Sequence, residues 1–353
     1  MALGWRAFLG FVAVAALLAG CSTTPQLATE STTQATATST AEPDATATST
    51  AEPAVEQAPV LLSQEQLDAL IRATPASKDL AGLKVHIAAI EEAASQLEPF
   101  EVVYAIGPTA VPEKVEAVIK SFSEKLKMYQ FVGLESLGMD WVLVSEKDYE
   151  WWVDYRLNQD PDYPLDLWNA ELNELGHCRL SSNVFCGAGN TVNGKEYQDN
   201  VVGTRFTDRG IDYVARHEAA HFYQAVFGYG GKCWFAEGQA TFFETYLETS
   251  SRSRSEVIAT LRRSPSNVAD SSEARFFELL ESDSVCFPDY RVAYDLGMLV
   301  FEYLYMNFSL LQVHELMVLS SNGSWDQAVA ETLGVNAQDL SREIASYLFS
   351  ELN

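Results

Sequence analysis

The chain has 353 residues, of which 47% are hydrophobic and 20% are charged, and its formal net charge is −26. This acidity argues against a nucleic-acid partner and against binding of the protein surface itself to anionic membranes. Beyond residue 58 about 295 residues remain, which is ample for one sizeable hydrophobic core, with room for two lobes.

Residues 1–20 have the pattern of an export signal. An apolar run from Ala7 to Ala19 follows Arg6. It is too short to span a bilayer comfortably and suits the hydrophobic region of a signal peptide. Leu18-Ala19-Gly20-Cys21 resembles the bacterial lipobox, in which cleavage before the cysteine precedes acylation of its thiol. The resemblance implies an extracytoplasmic protein anchored to the membrane through lipid on Cys21. Simple secretion, with cleavage nearby, is the alternative.

Residues 21–58 are predicted to form a disordered tether. Thr, Ser, Ala, Glu and Pro dominate this stretch, so few large apolar side chains are present to offset chain entropy. The segment 35–43 recurs almost unchanged at 45–53. A flexible chain of this length reaches a few tens of ångströms, enough to hold a domain away from a membrane.

The remaining domain, 59–353, begins with a part, 59–160, that has an α/β pattern, and 161–353 is predicted to be mainly helical. Four elements are predicted in the first part. They are a helix from a Ser63 cap to about Arg72, a strand over Pro99–Ile106, a long amphipathic helix over Val111–Phe131 and a strand over Asp140–Ser145.

Four cysteines follow Cys21, and an even number in an exported domain favours two disulfides. The short Ser- and Asn-containing stretch between Cys178 and Cys186 favours a local bridge, which leaves Cys233 to pair with Cys286. Free thiols are the alternative.

His217-Glu218-Ala219-Ala220-His221 is the most informative motif. Residues four apart lie on one face of an α-helix, so both rings can reach one metal ion. Neutral imidazole suits Zn²⁺, and Glu218 can reach a water held at the metal. Thr207 or Asp208 as N-cap and Gly228 as a stop predict the helix ends. The alternative is an ordinary helix that carries two histidines.

A third ligand is predicted downstream. Metzincins continue the motif as HExxHxxGxxH, but Gln224 and Phe227 stand at those positions, which excludes that class. Trp234-Phe235-Ala236-Glu237-Gly238 opens a second apolar helical segment and resembles the W-x-x-E-G signature of gluzincin metallopeptidases, although Phe235 and Ala236 depart from the commoner Leu and Asn. A glutamate favoured by the helix dipole is the alternative for Glu237.

The resemblance implies that Glu237 completes a His₂Glu site for one Zn²⁺ ion. It also implies an α+β, zincin-like fold, in which a small mixed sheet precedes the HExxH helix and a mainly helical part follows. In that family an edge strand of the sheet borders the substrate cleft. Residues 184–188 and 201–204 are two candidates for this strand.

Tyr294-Asp295-Leu296-Gly297 is predicted to begin a long apolar helix, and it resembles the Y-x-x-G element of aminopeptidase-like gluzincins. The resemblance implies that the Tyr294 hydroxyl donates to the oxyanion of the reaction, with Tyr290 and Arg291 as fallback donors. A half-buried packing tyrosine is the alternative.

Together these motifs predict a membrane-anchored zinc metallopeptidase that hydrolyses peptide bonds in a peptide or protein substrate, with Glu218 as the base. The absence of a clear motif for binding a free α-amine favours endopeptidase action. Two alternatives stay open: a non-catalytic binding or assembly lipoprotein of the cell envelope, and a hydrolase of a non-peptide amide or ester.

Overall fold

The structure, a computed structural model, describes residues 62–100, 102–134, 139–161, 163, 182–183, 185–192, 195–228, 232, 234–246, 253–263, 271–281 and 292–353. The predicted signal peptide and tether lie outside the described residues, as do Cys21, Cys178, Cys233, Cys286, Tyr290 and Arg291. Of Cys186 only the backbone is described. Lipidation and the two disulfides therefore stay predictions.

The described residues form a mixed α/β structure in which helices predominate. The strands are β1 (Tyr104–Ile106), β2 (Met139–Val144), β3 (Phe185–Val192) and β4 (Lys195–Val202). The helices are α1 (Gln64–Arg72), α2 (Leu80–Ser95), α3 (Pro112–Leu126), α4 (Tyr149–Gln159), α5 (Asp208–Val226), α6 (Trp234–Tyr246), α7 (Arg254–Arg262), α8 (Glu273–Glu281), α9 (Gly297–Asn307), α10 (Leu310–Asn322), α11 (Trp325–Leu333) and α12 (Ala337–Leu352). None of the helices in the described part has both the length and the apolar character needed to cross a membrane.

The predicted N-terminal helices are confirmed, with one change. Ser63 caps α1 in a reciprocal capping box with Gln66. Pro112 is the first residue of α3, where a backbone N–H would have no hydrogen-bond partner within the helix. The α-helix predicted to run to Phe131 ends earlier and continues as the 3₁₀ turn Lys127–Val132, which Gly133 ends with φ of 94°.

The four strands form one mixed sheet in the order β1-β2-β4-β3. The strands β1, β2 and β4 are parallel, and β3 lies antiparallel to β4 at the edge. The predicted strand Pro99–Ile106 is too long, because its pairing with β2 begins only at Tyr104, opposite Trp141. Of the two candidate edge segments, 184–188 overlaps β3, whereas 201–204 overlaps the end of the interior strand β4; the second candidate is wrong.

The central strands separate two cores. Trp141 and Leu143 point into the main core with α3 and α5, whereas Val142 and Val144 alternate to the other face, where Trp152 of α4 covers them. The main core continues through the C-terminal helices. Helix α5 packs against α3, α6 and β3, so the histidine motif lies between the sheet and the C-terminal helices.

Candidate metal centre

Helix α5 delivers both histidines to one point. Thr207 caps it, with its Oγ1 accepting from the backbone N of Gly210 at 3.3 Å, and Gly228 follows its end with φ of 66°. His217 and His221 are 7% and 8% exposed. A second stripe of the same helix, at Ala215, Ala219 and Phe222, is buried in the main core and fixes the rotation of the helix.

Glu237 lies in the first turn of α6 and completes a close group with the two histidines. Its Oε2 is 3.2 Å from His217 Nε2 and 3.3 Å from His221 Nε2, and the two Nε2 atoms are 3.0 Å apart. Four ligands at 2.0–2.1 Å around a tetrahedral zinc ion lie about 3.3 Å from one another. The chemistry and the spacing of these three groups therefore fit one Zn²⁺ ion.

The other nitrogen of His217 is held by Glu244, which the sequence analysis did not single out. Glu244 Oε2 is 2.9 Å from His217 Nδ1, and the glutamate is 2% exposed. A carboxylate oxygen accepts, so Nδ1–H donates to Glu244, and Nε2 is the nitrogen that faces Glu237. Glu244 follows Glu237 by seven residues, or two helical turns, and that spacing was the available signal.

The buried carboxylates make the group attractive to a cation. Burial opposes protonation of His217, but hydrogen bonds to Glu237 and Glu244, together with their charges, outweigh it and raise the pKa of His217 to about 10. Burial alone would raise the pKa of Glu237, but the charge of His221 and hydrogen bonds from both rings lower it below its usual range. The buried carboxylates therefore favour positive charge on the groups beside them.

Glu218 is buried beside this group without being part of it. It is 4% exposed, and burial raises the pKa of its carboxyl, while the charges of His221 and His217 partly offset that effect. The group that could hold a metal ion does not include Glu218, which is close enough to the histidines for their charges to affect its pKa.

Tyr294 also reaches the group formed by His217, His221 and Glu237. Its ring lies parallel to that of His217, with centroids 5.6 Å apart and an interplanar angle of 4°, and its hydroxyl hydrogen-bonds Glu237. Burial and the charge of Glu237 raise the pKa of Tyr294 well above its ordinary value, so the hydroxyl keeps its proton. Tyr294 does not begin an α-helix as predicted. It lies in the π-helical turn Val292–Leu296, and α9 begins at Gly297.

Two glycines allow the segment of Tyr294 to approach Glu237. A Cβ on Gly238 would lie 2.6 Å from the carbonyl carbon of Gly297, and a Cβ on Gly297 would lie 2.8 Å from the Cα of Gly238. Side chains at either position would push the two backbones apart. The glycines of the E-G and Y-x-x-G motifs thus form the contact between α6 and α9.

Comparison of the chain with protein-family models, with curated proteins and with solved structures gave no match. The interpretation of the site therefore depends on its own residues and their geometry. Those residues come from three separate segments of the chain: α5, α6 and the π-helical turn.

Proposed function

We propose that the protein is a gluzincin-like zinc metallopeptidase with a zincin-like fold, held outside the cytoplasm by lipid on Cys21. The observation that carries the proposal is the close triangle formed by His217, His221 and Glu237, with Glu218 buried beside it. A binding module would need no such base. The retained Glu218 therefore favours an enzyme.

The sheet supports a peptide as substrate. Within the described sheet β3 has one neighbour, β4, and it also contacts α5, the helix of both histidines. The outer edge of such a strand offers backbone groups that can pair with an extended peptide beside the metal group. We assign peptide binding to β3 and endopeptidase action to the site.

Each side chain has a distinct role in the proposed reaction. Zn²⁺, when bound, lowers the pKa of a water molecule to about 7 and polarises a carbonyl group. Glu218 takes a proton from the attacking water and returns it to the leaving amine. Tyr294 keeps its hydroxyl proton next to the ligands and donates a hydrogen bond to the developing negative charge.

The test is the Glu218→Gln variant of the purified protein, compared with Glu116→Gln, which alters an exposed glutamate of α3. Zinc content and cleavage of a peptide library are measured for wild type and for both variants. We expect wild type and Glu116→Gln to hold one zinc ion and to cleave peptides. Glu218→Gln should hold zinc and cleave at least about 100-fold more slowly.

Full activity of Glu218→Gln would remove the base from the mechanism. A zinc-loaded wild type that cleaves no peptide would instead favour one of the alternatives, a binding module or a hydrolase of another amide.

A further inference from the structure

Gln224 connects the two helices that carry the metal ligands. It lies three residues after His221 on α5 and is 4% exposed. Its Oε1 is 2.9 Å from His221 Nδ1, and its Nε2 is 2.9 Å from the backbone oxygen of Ala236 and 3.0 Å from Gln239 Oε1. Ala236 immediately precedes Glu237. One side-chain amide therefore contacts a ligand ring on α5 and the backbone next to a ligand on α6.

The direction of these hydrogen bonds follows from the backbone. A peptide carbonyl only accepts, so the NH₂ end of Gln224 must face Ala236. The Oε1 end then accepts from His221 Nδ1–H, so Nε2 is the nitrogen of His221 that faces Glu237 and would bind the metal ion. The hydrogen-bond chain continues to Tyr305, because Gln239 Oε1 accepts from Gln224 and Gln239 Nε2 donates to the Tyr305 hydroxyl at 3.0 Å.

We propose that Gln224 is a positioning residue of the metal site, which fixes the tautomer of His221 and, at the same time, the separation of α5 from Glu237. This inference rests on the proposed function, since it concerns the geometry of the same metal site. Groups that orient a metal-bound histidine typically change metal affinity by about 10- to 100-fold when they are lost. An ordinary packing glutamine would affect folding stability instead.

Gln239 provides a matched control inside the same hydrogen-bond chain. It is 1% exposed and hydrogen-bonds Gln224 and Tyr305, and neither of these bonds involves His221 or the backbone of Ala236. Gln239→Met removes two buried hydrogen bonds and leaves the bridge from His221 to Ala236 in place. Gln224→Met removes the bridge with the same change of side-chain chemistry.

The experiment titrates wild type, Gln224→Met and Gln239→Met with Zn²⁺ and Co²⁺ alone against a competing chelator. Thermal unfolding of the metal-free proteins and the visible spectrum of bound Co²⁺ are recorded in parallel. We expect both variants to lose stability, but only Gln224→Met to bind metal about 10- to 100-fold more weakly and to alter the Co²⁺ spectrum. Gln239→Met should stay within about threefold of wild type in metal affinity, well below the effect of losing an orienting group.

If Gln224→Met keeps the wild-type metal affinity and Co²⁺ spectrum, the positioning role of Gln224 is overturned and the proposed function is not. Equal losses of metal affinity in both variants would have the same meaning. A wild type that binds neither ion would overturn both proposals. If Gln224→Met does not fold, Gln224→Asn replaces it. Asn keeps the amide but is one methylene shorter and cannot span both contacts, so the same loss of affinity is expected and a wild-type affinity again contradicts the bridge.

Discussion

Glu237 and Glu244 contact opposite nitrogens of one imidazole ring. Glu237 Oε2 is 3.2 Å from His217 Nε2, and Glu244 Oε2 is 2.9 Å from His217 Nδ1. Both glutamates lie on α6, two turns apart, so in the proposed site a single helix supplies one metal ligand and the group that orients another. Loss of Glu244 should therefore weaken metal binding although Glu244 itself contacts no metal.

We expect Glu244→Gln to lower zinc affinity about tenfold, because a neutral amide is a weaker acceptor for Nδ1–H and makes Nε2 a poorer donor to the metal. Chelator competition measures the affinity. Glu315→Gln, at an exposed position on α10, is the control and should bind zinc as wild type does. Unchanged affinity in Glu244→Gln would leave Glu244 with a packing role only.

The sequence predicted those parts of the site that local spacing determines. His217, Glu218 and His221 share one helix, and Glu237 follows within a second motif, so their proximity follows from helical periodicity and a short connection. Hydrogen bonds between side chains on different helices could not be predicted from spacing along the sequence. Gln224 served only to exclude the metzincins, and its bonds to His221 and Ala236 depend on how α5 packs against α6.

The fold, like the site, was predictable where signals close together in the sequence determine it. Caps and proline positions indicated the starts of α1 and α3, because those signals act within one helical turn. The length of β1 and the place of β4 depend on which strands pair, and no local pattern encodes that choice. The π-helical turn at Tyr294 lies directly before the close contact of Gly297 with Gly238, and no local pattern encodes that contact either.

Tyr294→Phe tests the role of the hydroxyl. The phenylalanine ring can keep the parallel contact with His217, so folding and zinc content should stay close to wild type. Loss of one donor to the developing oxyanion should reduce kcat by about 100- to 1,000-fold, with a small change in KM. Steady-state kinetics on a cleaved peptide measures both constants. Wild-type kcat in this variant would mean that Tyr294 only packs against the ligand.

Gly297→Ala tests the contact between α6 and α9. The new methyl group would lie 2.8 Å from both the Cα of Gly238 and the backbone oxygen of Trp234, so the helices must separate. We expect a loss of about 1–3 kcal/mol in the free energy of unfolding and slower catalysis, since Tyr294 moves with α9. Gly323→Ala is the control, because its Cβ would come no closer than 3.4 Å to a neighbouring atom. Equal stability of the two variants in denaturant unfolding would show that the contact is not tight.

His314 should make the stability of the fold sensitive to mild acid. It lies on α10, 8% exposed, where its Nδ1 accepts a hydrogen bond from the Tyr223 hydroxyl, and its ring meets that of Phe227 edge-on at 4.8 Å. Burial lowers the pKa of His314 from 6.5 to about 4. The unfolded chain therefore takes up a proton as the pH falls through 6.5, whereas the folded chain does so only near pH 4.

The stabilisation from neutral His314 is complete above pH 6.5 and is lost as the pH falls towards 4. At about 1.4 kcal/mol for each pH unit, the loss by pH 5 is about 2 kcal/mol. His314→Asn keeps an acceptor for Tyr223 but cannot titrate, so its stability should fall less between pH 7 and pH 5, by about that amount. Urea unfolding of both metal-free proteins at the two pH values gives the comparison, and the histidines of α5 contribute equally to each. Parallel losses in wild type and His314→Asn would show that His314 is protonated as readily in the folded protein as in the unfolded chain.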